Sequence, residues 1–139
     1  MKKVSADADY IISQTNPQEY LHERAMRVAS QLGQVRIVTS GMVLTEALTF
    51  LAEKGSRLRT GAASMVDSLR HNRNVVIVPQ TSRQFEDALL LYRRRLDKEW
   101  SLTDSASFLI MQKQNIREAL THDIHFLQAG FKALLREGA

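Results

Sequence analysis

Val75-Val76-Ile77-Val78, stopped by Pro79, is the stretch on which the fold turns. Four β-branched residues in succession suit a strand, and a proline, with no N–H to give the ladder, ends it. The run is apolar throughout instead of alternating, which predicts burial on both faces, as in a parallel sheet covered by helices. Working outward, Val35-Arg36-Ile37-Val38 reads as a second strand. Lys3-Val4-Ser5-Ala6 reads as a first, its small residues suited to a crowded central position. Ile116 to Leu120 can form a fourth strand and Phe131 to Leu135 a short fifth.

Helical patterns fill the intervals. Tyr10-Ile11-Ile12 begins a helical turn that Asn16-Pro17 breaks. Glu19 to Leu32 carries an apolar stripe of Tyr20, Ala25, Val28, Ala29 and Leu32 and closes at Gly33. Thr39 and Ser40 are candidate caps for a helix from Met42 to Lys54, ended by Gly55. Arg57 to His71 is helical again. Ser82 is the expected cap of a helix reaching Arg95, and Ser101 opens another reaching Lys113. Strands alternating with helices, without hairpin signals, give an α/β domain with a mostly parallel sheet of four to five strands. Ligands of such sheets bind beyond the carboxyl ends of the strands, where strand order reverses.

A chain of 139 residues is expected to form one domain spanning 1–139. Its 44% hydrophobic and 24% charged residues are globular proportions and argue against disorder. The absence of cysteine excludes disulfides and thiolate metal sites. No apolar run has the length of a membrane span. The opening Met1-Lys2-Lys3-Val4 leads into Ser-Ala-Asp-Ala-Asp, too polar for a signal-peptide core. A cytoplasmic protein with no membrane partner is expected. The net charge of +4 is compatible with a polyanionic partner and carries little weight alone.

Four acids occupy comparable places. Asp7 and Asp123 follow strands directly, Glu46 lies one turn into the helix after the second strand, and Asp104 lies in the first turn opened by Trp100-Ser101-Leu102-Thr103-Asp104-Ser105-Ala106-Ser107-Phe108. All four can face one end of the sheet. Two carboxylates about 5 Å apart repel by roughly 3 kcal/mol at an effective dielectric near 20. Gathering several therefore requires raised pKa values or a cation, and hard oxygen ligands suit Mg²⁺ or Mn²⁺. Such ions activate water against phosphodiesters, which points to a metal-dependent nuclease.

Plainer readings stand beside this one. Ser101-Leu102-Thr103-Asp104 also matches a capping box. Asp7 and Asp9 also read as loop acids, and Asp123 as the cap of whatever follows. Glu46, amid Val43, Leu44, Ala47 and Leu48, is the hardest to explain as a solvated face. His122-Asp123-Ile124-His125 matches no strong zinc spacing and reads as a surface loop. Arg93-Arg94-Arg95 with Lys98, and Arg57, Arg59, Arg70 and Arg73, are solvated helix faces or phosphate contacts.

On these residues the chain resembles the PIN-domain family, small ribonucleases that include the VapC toxins of bacterial toxin–antitoxin pairs. The resemblance covers nearly the whole chain. It runs through Asp7, Asn16-Pro17 and His22, then Thr39-Ser40 and Val43-Leu44-Thr45-Glu46, then Trp100-Ser101-Leu102-Thr103-Asp104. It ends with Leu120-Thr121-His122-Asp123-Ile124-His125-Phe126 and Gly130-Phe131. It implies a three-layer α/β/α sandwich, and Mg²⁺ or Mn²⁺ held by Asp7, Glu46, Asp104 and Asp123, with Ser101 and Thr103 orienting acids or waters. It further implies endonucleolytic cleavage of RNA such as tRNA or rRNA, a cognate antitoxin and a homodimer.

Ala8 and Asp9 depart from the family, which often has a hydroxyl residue after the first acid and a small or hydroxylated one next. Ser5 stands where a bulkier apolar residue is common. Asp9 therefore competes with Asp7 as the first ligand. A PIN-like RNA-binding or assembly module that cleaves little is the rival function. A receiver-type phosphoacceptor domain needs an aspartate at the end of the third strand, where this chain has Pro79-Gln80.

Overall fold

A computed structural model describes residues 1–136. In chain order the elements are β1 (Lys2–Ala6), α1 (Ala8–Thr15), α2 (His22–Gln31), β2 (Val35–Ser40), α3 (Gly41–Ala52), α4 (Ser56–His71) and β3 (Val75–Val78). They continue with α5 (Ser82–Arg94), α6 (Leu102–Lys113), β4 (Glu118–Leu120), α7 (Ile124–Gln128) and β5 (Lys132–Ala133). The strands form one sheet of order β3-β2-β1-β4-β5, and every neighbouring pair is parallel. The chain thus starts in the middle, builds outward to β3, then returns to the other side of β1. The reversal falls between β1 and β4, where Ser5 pairs with Ala119 and Ala6 with Leu120.

Alternation along the strands divides the core into two layers. Val4 and Ala6 of β1 join Ala25, Val43, Leu51 and Ala62 of α2, α3 and α4 on one face. Val38 of β2 and Ala119 of β4 join Trp100, Phe108, Met111 and Phe126 on the other. Helices α1 to α4 pack against one another on the first face, and α5, α6 and α7 on the second. The result is a three-layer α/β/α sandwich. Among the described residues no helix is long and apolar enough to cross a membrane.

Several expectations are corrected in detail. The Val75–Val78 run forms β3 at the edge of the sheet, and Val76 is 38% exposed instead of covered on both faces. Its apolarity serves one flank of the sheet, with Ile77 packed against the first layer and Val78 against the second. The turn at Tyr10 is a full helix, α1, with Tyr10, Ile11 and Ile12 buried. Helix α2 starts at His22 instead of Glu19. Thr81, not Ser82, caps α5, its side chain accepting from the Gln84 N–H. The fourth and fifth strands shorten to β4 and β5, and a five-residue helix, α7, follows Asp123.

Two local devices bring chain ends close to the carboxyl edge of the sheet. A Cβ on Gly41 would lie 3.1 Å from the Cβ of Gln80 and 3.2 Å from its backbone nitrogen, so glycine lets the start of α3 pass the exit of β3 closely. The Phe108 ring meets Trp100 and Phe126 edge-on, each with centroids 4.9 Å apart, a favourable aromatic geometry. These contacts tie the start of α6 to α7, and so bring Asp104 and Asp123 near each other.

Candidate functional site

The carboxyl ends of β1 and β4 converge at the reversal of strand order, and the acids lie there. Asp7 directly follows β1, and its N–H continues the ladder to the Leu120 carbonyl at 3.2 Å. Asp9 sits in the first turn of α1. The buried Thr121 hydroxyl links both acids to the end of β4, 3.0 Å from Asp7 Oδ2 and 3.3 Å from Asp9 Oδ2. One hydroxyl proton serves one carboxylate at a time. Asp9 Oδ2 also accepts the His122 N–H at 2.8 Å. The other oxygens, Asp7 Oδ1 and Asp9 Oδ1, are buried with no hydrogen-bond partner.

Asp104 and Asp123 arrive as helix caps. The Asp104 N–H donates to Ser101 Oγ at 2.9 Å, and the Ser101 N–H returns a bond to Asp104 Oδ2 at 3.1 Å, a complete capping box on α6. Asp123 caps α7 by accepting the His125 N–H at 2.9 Å, while its own N–H donates to Thr121 Oγ1 at 3.1 Å. His125 does not lie in a free surface loop. Its Nδ1 stands 3.0 Å from Asp104 Oδ2 and 3.4 Å from Asp123 Oδ1. One atom from each of Asp104, Asp123 and His125 lies within 4.8 Å of the others, close enough to share a cation.

Glu46 is placed differently. It belongs to the exposed side of α3, not to a face enclosed by its apolar neighbours, and stands at the rim of the group. Thr103 beside it lowers its carboxyl pKa against the effect of burial. It lines a cleft of about 470 Å³ with Thr45, Thr103 and Phe50, while Asp9 and Asp123 line a second of about 330 Å³.

Electrostatics mark the group as one unit. Burial, reinforced by the Asp9 charge, holds Asp7 well above the usual carboxylate range. Burial pushes Asp9 up to about 6 against the opposing bonds from His122 and Thr121. Asp104 is raised chiefly by burial, and Glu46 by partial burial of its carboxyl and then by the Asp104 charge. Close carboxylates in low dielectric disfavour one another's ionisation, and a cation among them reverses that penalty. Two orphaned buried oxygens beside an oxygen-rich donor set fit a hard divalent ion. Sequence reasoning missed Thr121 and the inward orientation of His125; the only signal was the position of both within the Thr121–Phe126 block.

An all-parallel β3-β2-β1-β4-β5 sheet with acids at the β1/β4 reversal gives this chain a VapC-like PIN-domain fold. The particular resemblance is to solved toxin structures. VapC20 of Mycobacterium tuberculosis, a sarcin–ricin loop cleaving toxin, superposes with a TM-score of 0.82 at 26% identity, covering 92% of this chain and 95% of that one. FitAB bound to a DNA fragment matches at 0.69 and 16% identity over 98% of each chain. VapBC2 of Rickettsia felis, bound to promoter DNA, matches at 0.62 and 12% identity over 94% and 96%; these two show the fold alone. No protein-family model matches the sequence, and no curated protein matches it significantly.

Proposed function

We propose that this chain, folding as a single domain over 1–139, is a divalent-metal-dependent endoribonuclease and the toxin of a toxin–antitoxin pair. The observation that carries the reading is the pair of buried, unpartnered oxygens on Asp7 and Asp9 within the acidic group of Asp104, Asp123 and Glu46. Asp7, Asp104 and Asp123 would hold Mg²⁺ or Mn²⁺, with Asp9 supplementing Asp7 and Glu46 closing the rim. A bound ion of this kind lowers the pKa of water and steadies charge on phosphodiester oxygens. The chain's own part is positioning: Thr121 fixes Asp7 and Asp9, while Ser101 and His125 fix Asp104.

The partner and substrate follow by analogy with the similar structures. Antitoxin complexes among them support a cognate antitoxin, and VapC20 supports structured ribosomal RNA as substrate, with tRNA beside it. A homodimer in the cytoplasm completes the proposal. The test is incubation of purified protein with total RNA, tRNA and a sarcin–ricin-loop RNA in Mn²⁺, Mg²⁺ or EDTA, beside Asp104→Asn. Metal-dependent cutting that disappears in the variant supports the ribonuclease. Intact RNA in every lane with retained RNA binding supports the binding module instead.

A further inference from the structure

The cleft that holds Asp9 and Asp123 on its floor carries two exposed aromatic rings on its walls. Tyr20 is 81% exposed and Phe50 45% exposed, and both line this cleft of about 330 Å³. Neither position is explained by the core. Tyr20 lies before α2, outside the buried stripe, and the Phe50 side chain points away from the first layer that holds Leu51. Tyr20 stands edge-on to the His122 ring, with centroids 6.2 Å apart, so its orientation is set by the loop that carries Asp123. Lys54 Nζ stands 4.9 Å from the Phe50 ring centroid, which places a cation beside that ring. Phe50 also borders the neighbouring cleft of Glu46, Thr45 and Thr103.

Resting on the ribonuclease reading, we infer that Tyr20 and Phe50 form a stacking site for one unpaired nucleobase beside the bond to be cut. Exposed aromatic rings are poorly placed for hydration and well placed for a base, because every base offers a π-face and needs no particular edge. The carboxylates a few side chains below would repel an acidic peptide. A nucleotide's phosphate would be accommodated there once these acids hold a divalent cation, and Lys54, beside the Phe50 ring, adds positive charge near the same site. Helical RNA cannot present a base to a ring between its strands, so the site selects loops and bulges over duplex.

Binding titrations separate this role from a general phosphate contact. The probe is a fluorescently labelled, twelve-nucleotide single-stranded RNA in Ca²⁺, with its integrity checked afterwards, and a second probe carries abasic residues on the same backbone. Tyr20→Ala and Phe50→Ala are each expected to weaken the intact RNA roughly tenfold, the stacking magnitude for one base, and to leave abasic RNA unchanged. Tyr20→Phe and Phe50→Tyr should restore binding, since both positions are exposed and the ring is what acts. Equal losses on both probes, or no loss on either, would overturn the stacking site while leaving cleavage by the wild-type protein intact. Absence of both RNA cleavage and RNA binding by the wild type would overturn the ribonuclease reading and this inference with it.

Discussion

Replacing Asp9 by asparagine is expected to stabilise the metal-free protein at neutral pH. Burial raises this carboxyl from 3.8 to about 6, so the folded state holds the Asp9 proton more tightly than the unfolded chain does. The sign follows directly. Between about pH 4 and pH 6 the unfolded state binds fewer protons than the folded one, and stability falls as pH rises through that window. Above it the full penalty stands, about 3 kcal/mol as a ceiling from the separation of 3.8 and about 6. Asparagine removes the charge and keeps an oxygen for the His122 N–H, now 2.8 Å from Asp9 Oδ2, while its new N–H groups can face Asp7. Rearranging the shared Thr121 bond costs about 1 kcal/mol. The net gain should therefore be about 1–2 kcal/mol at pH 7.5 in EDTA, read as a rise in the urea midpoint or in Tm. At pH 4, where the wild-type carboxyl is protonated, the gain should give way to the loss of about 1 kcal/mol from the rearranged Thr121 bond. In millimolar Mn²⁺ the order should reverse, since the wild type alone gains the ion's full stabilisation. A variant equally destabilised at pH 4 and pH 7.5 in EDTA would refute the electrostatic reasoning and leave Asp9 a plain structural acceptor.

Other perturbations read other parts of the site. Asp104→Asn should lower cleavage by at least a hundredfold and abolish most of the Mn²⁺-induced stabilisation, which for the wild type is expected to be about 2.7 kcal/mol at about a hundredfold excess over Kd and is read as a Tm rise in thermal scans with and without the ion. Thr121→Val keeps the shape of a fully buried side chain but strands the Asp123 N–H and Asp7 Oδ2, while Asp9 Oδ2 keeps the His122 N–H. A loss of about 2–3 kcal/mol in chemical denaturation, with weaker Mn²⁺ binding by calorimetry, is expected. Phe126→Ala removes a ring with no exposed surface from its contact with Phe108. It should cost about 3–5 kcal/mol in the same denaturation assay.

What the sequence made legible follows physical range. Strands β2 and β3 were readable because β-branched runs bounded by Gly33 and Pro79 are local signals, and parallel order followed from the alternation of strands with helices. The position of Val75–Val78 at the sheet edge was not readable, because strand order depends on which connection crosses the sheet, and no local pattern encodes it. Thr81 and Ser82 are both good caps, and only backbone geometry decides between adjacent candidates. At the site, Asp104 and Asp123 could be placed from their helix starts. The closure of Thr121 onto Asp7 and Asp9 joins residues more than a hundred positions apart. For Glu46 the expectation of an enclosed position failed, because apolar neighbours in sequence do not bury a residue that helical geometry turns outward, yet its carboxyl still feels the Asp104, Asp123 and Asp9 charges.

The capping and the ligand readings of Asp104 and Asp123, opposed when only the chain is considered, are compatible in space. A carboxylate has two oxygens and about four lone-pair sites, and a cap uses one oxygen. At Asp104 the bonds from Ser101 and His125 both fall on Oδ2, and at Asp123 the cap falls on Oδ1. Each acid therefore spends one oxygen on fixing its own rotamer and keeps the other outside those bonds. Asp7 and Asp9 repeat the pattern, with Oδ2 bound by Thr121 and Oδ1 buried and unpaired. The recurrence on four acids from three different segments has a physical consequence. Folding, not ligand binding, orders these side chains, so the entropy of assembling the site is lost before any cation arrives. The cost of holding them together without one appears in the raised carboxyl pKa values of Asp7, Asp9 and Asp104. A helix cap is thus a means of aiming a charge, and a sheet that reverses its strand order beneath three such aimed ends makes a site from residues whose local roles are ordinary.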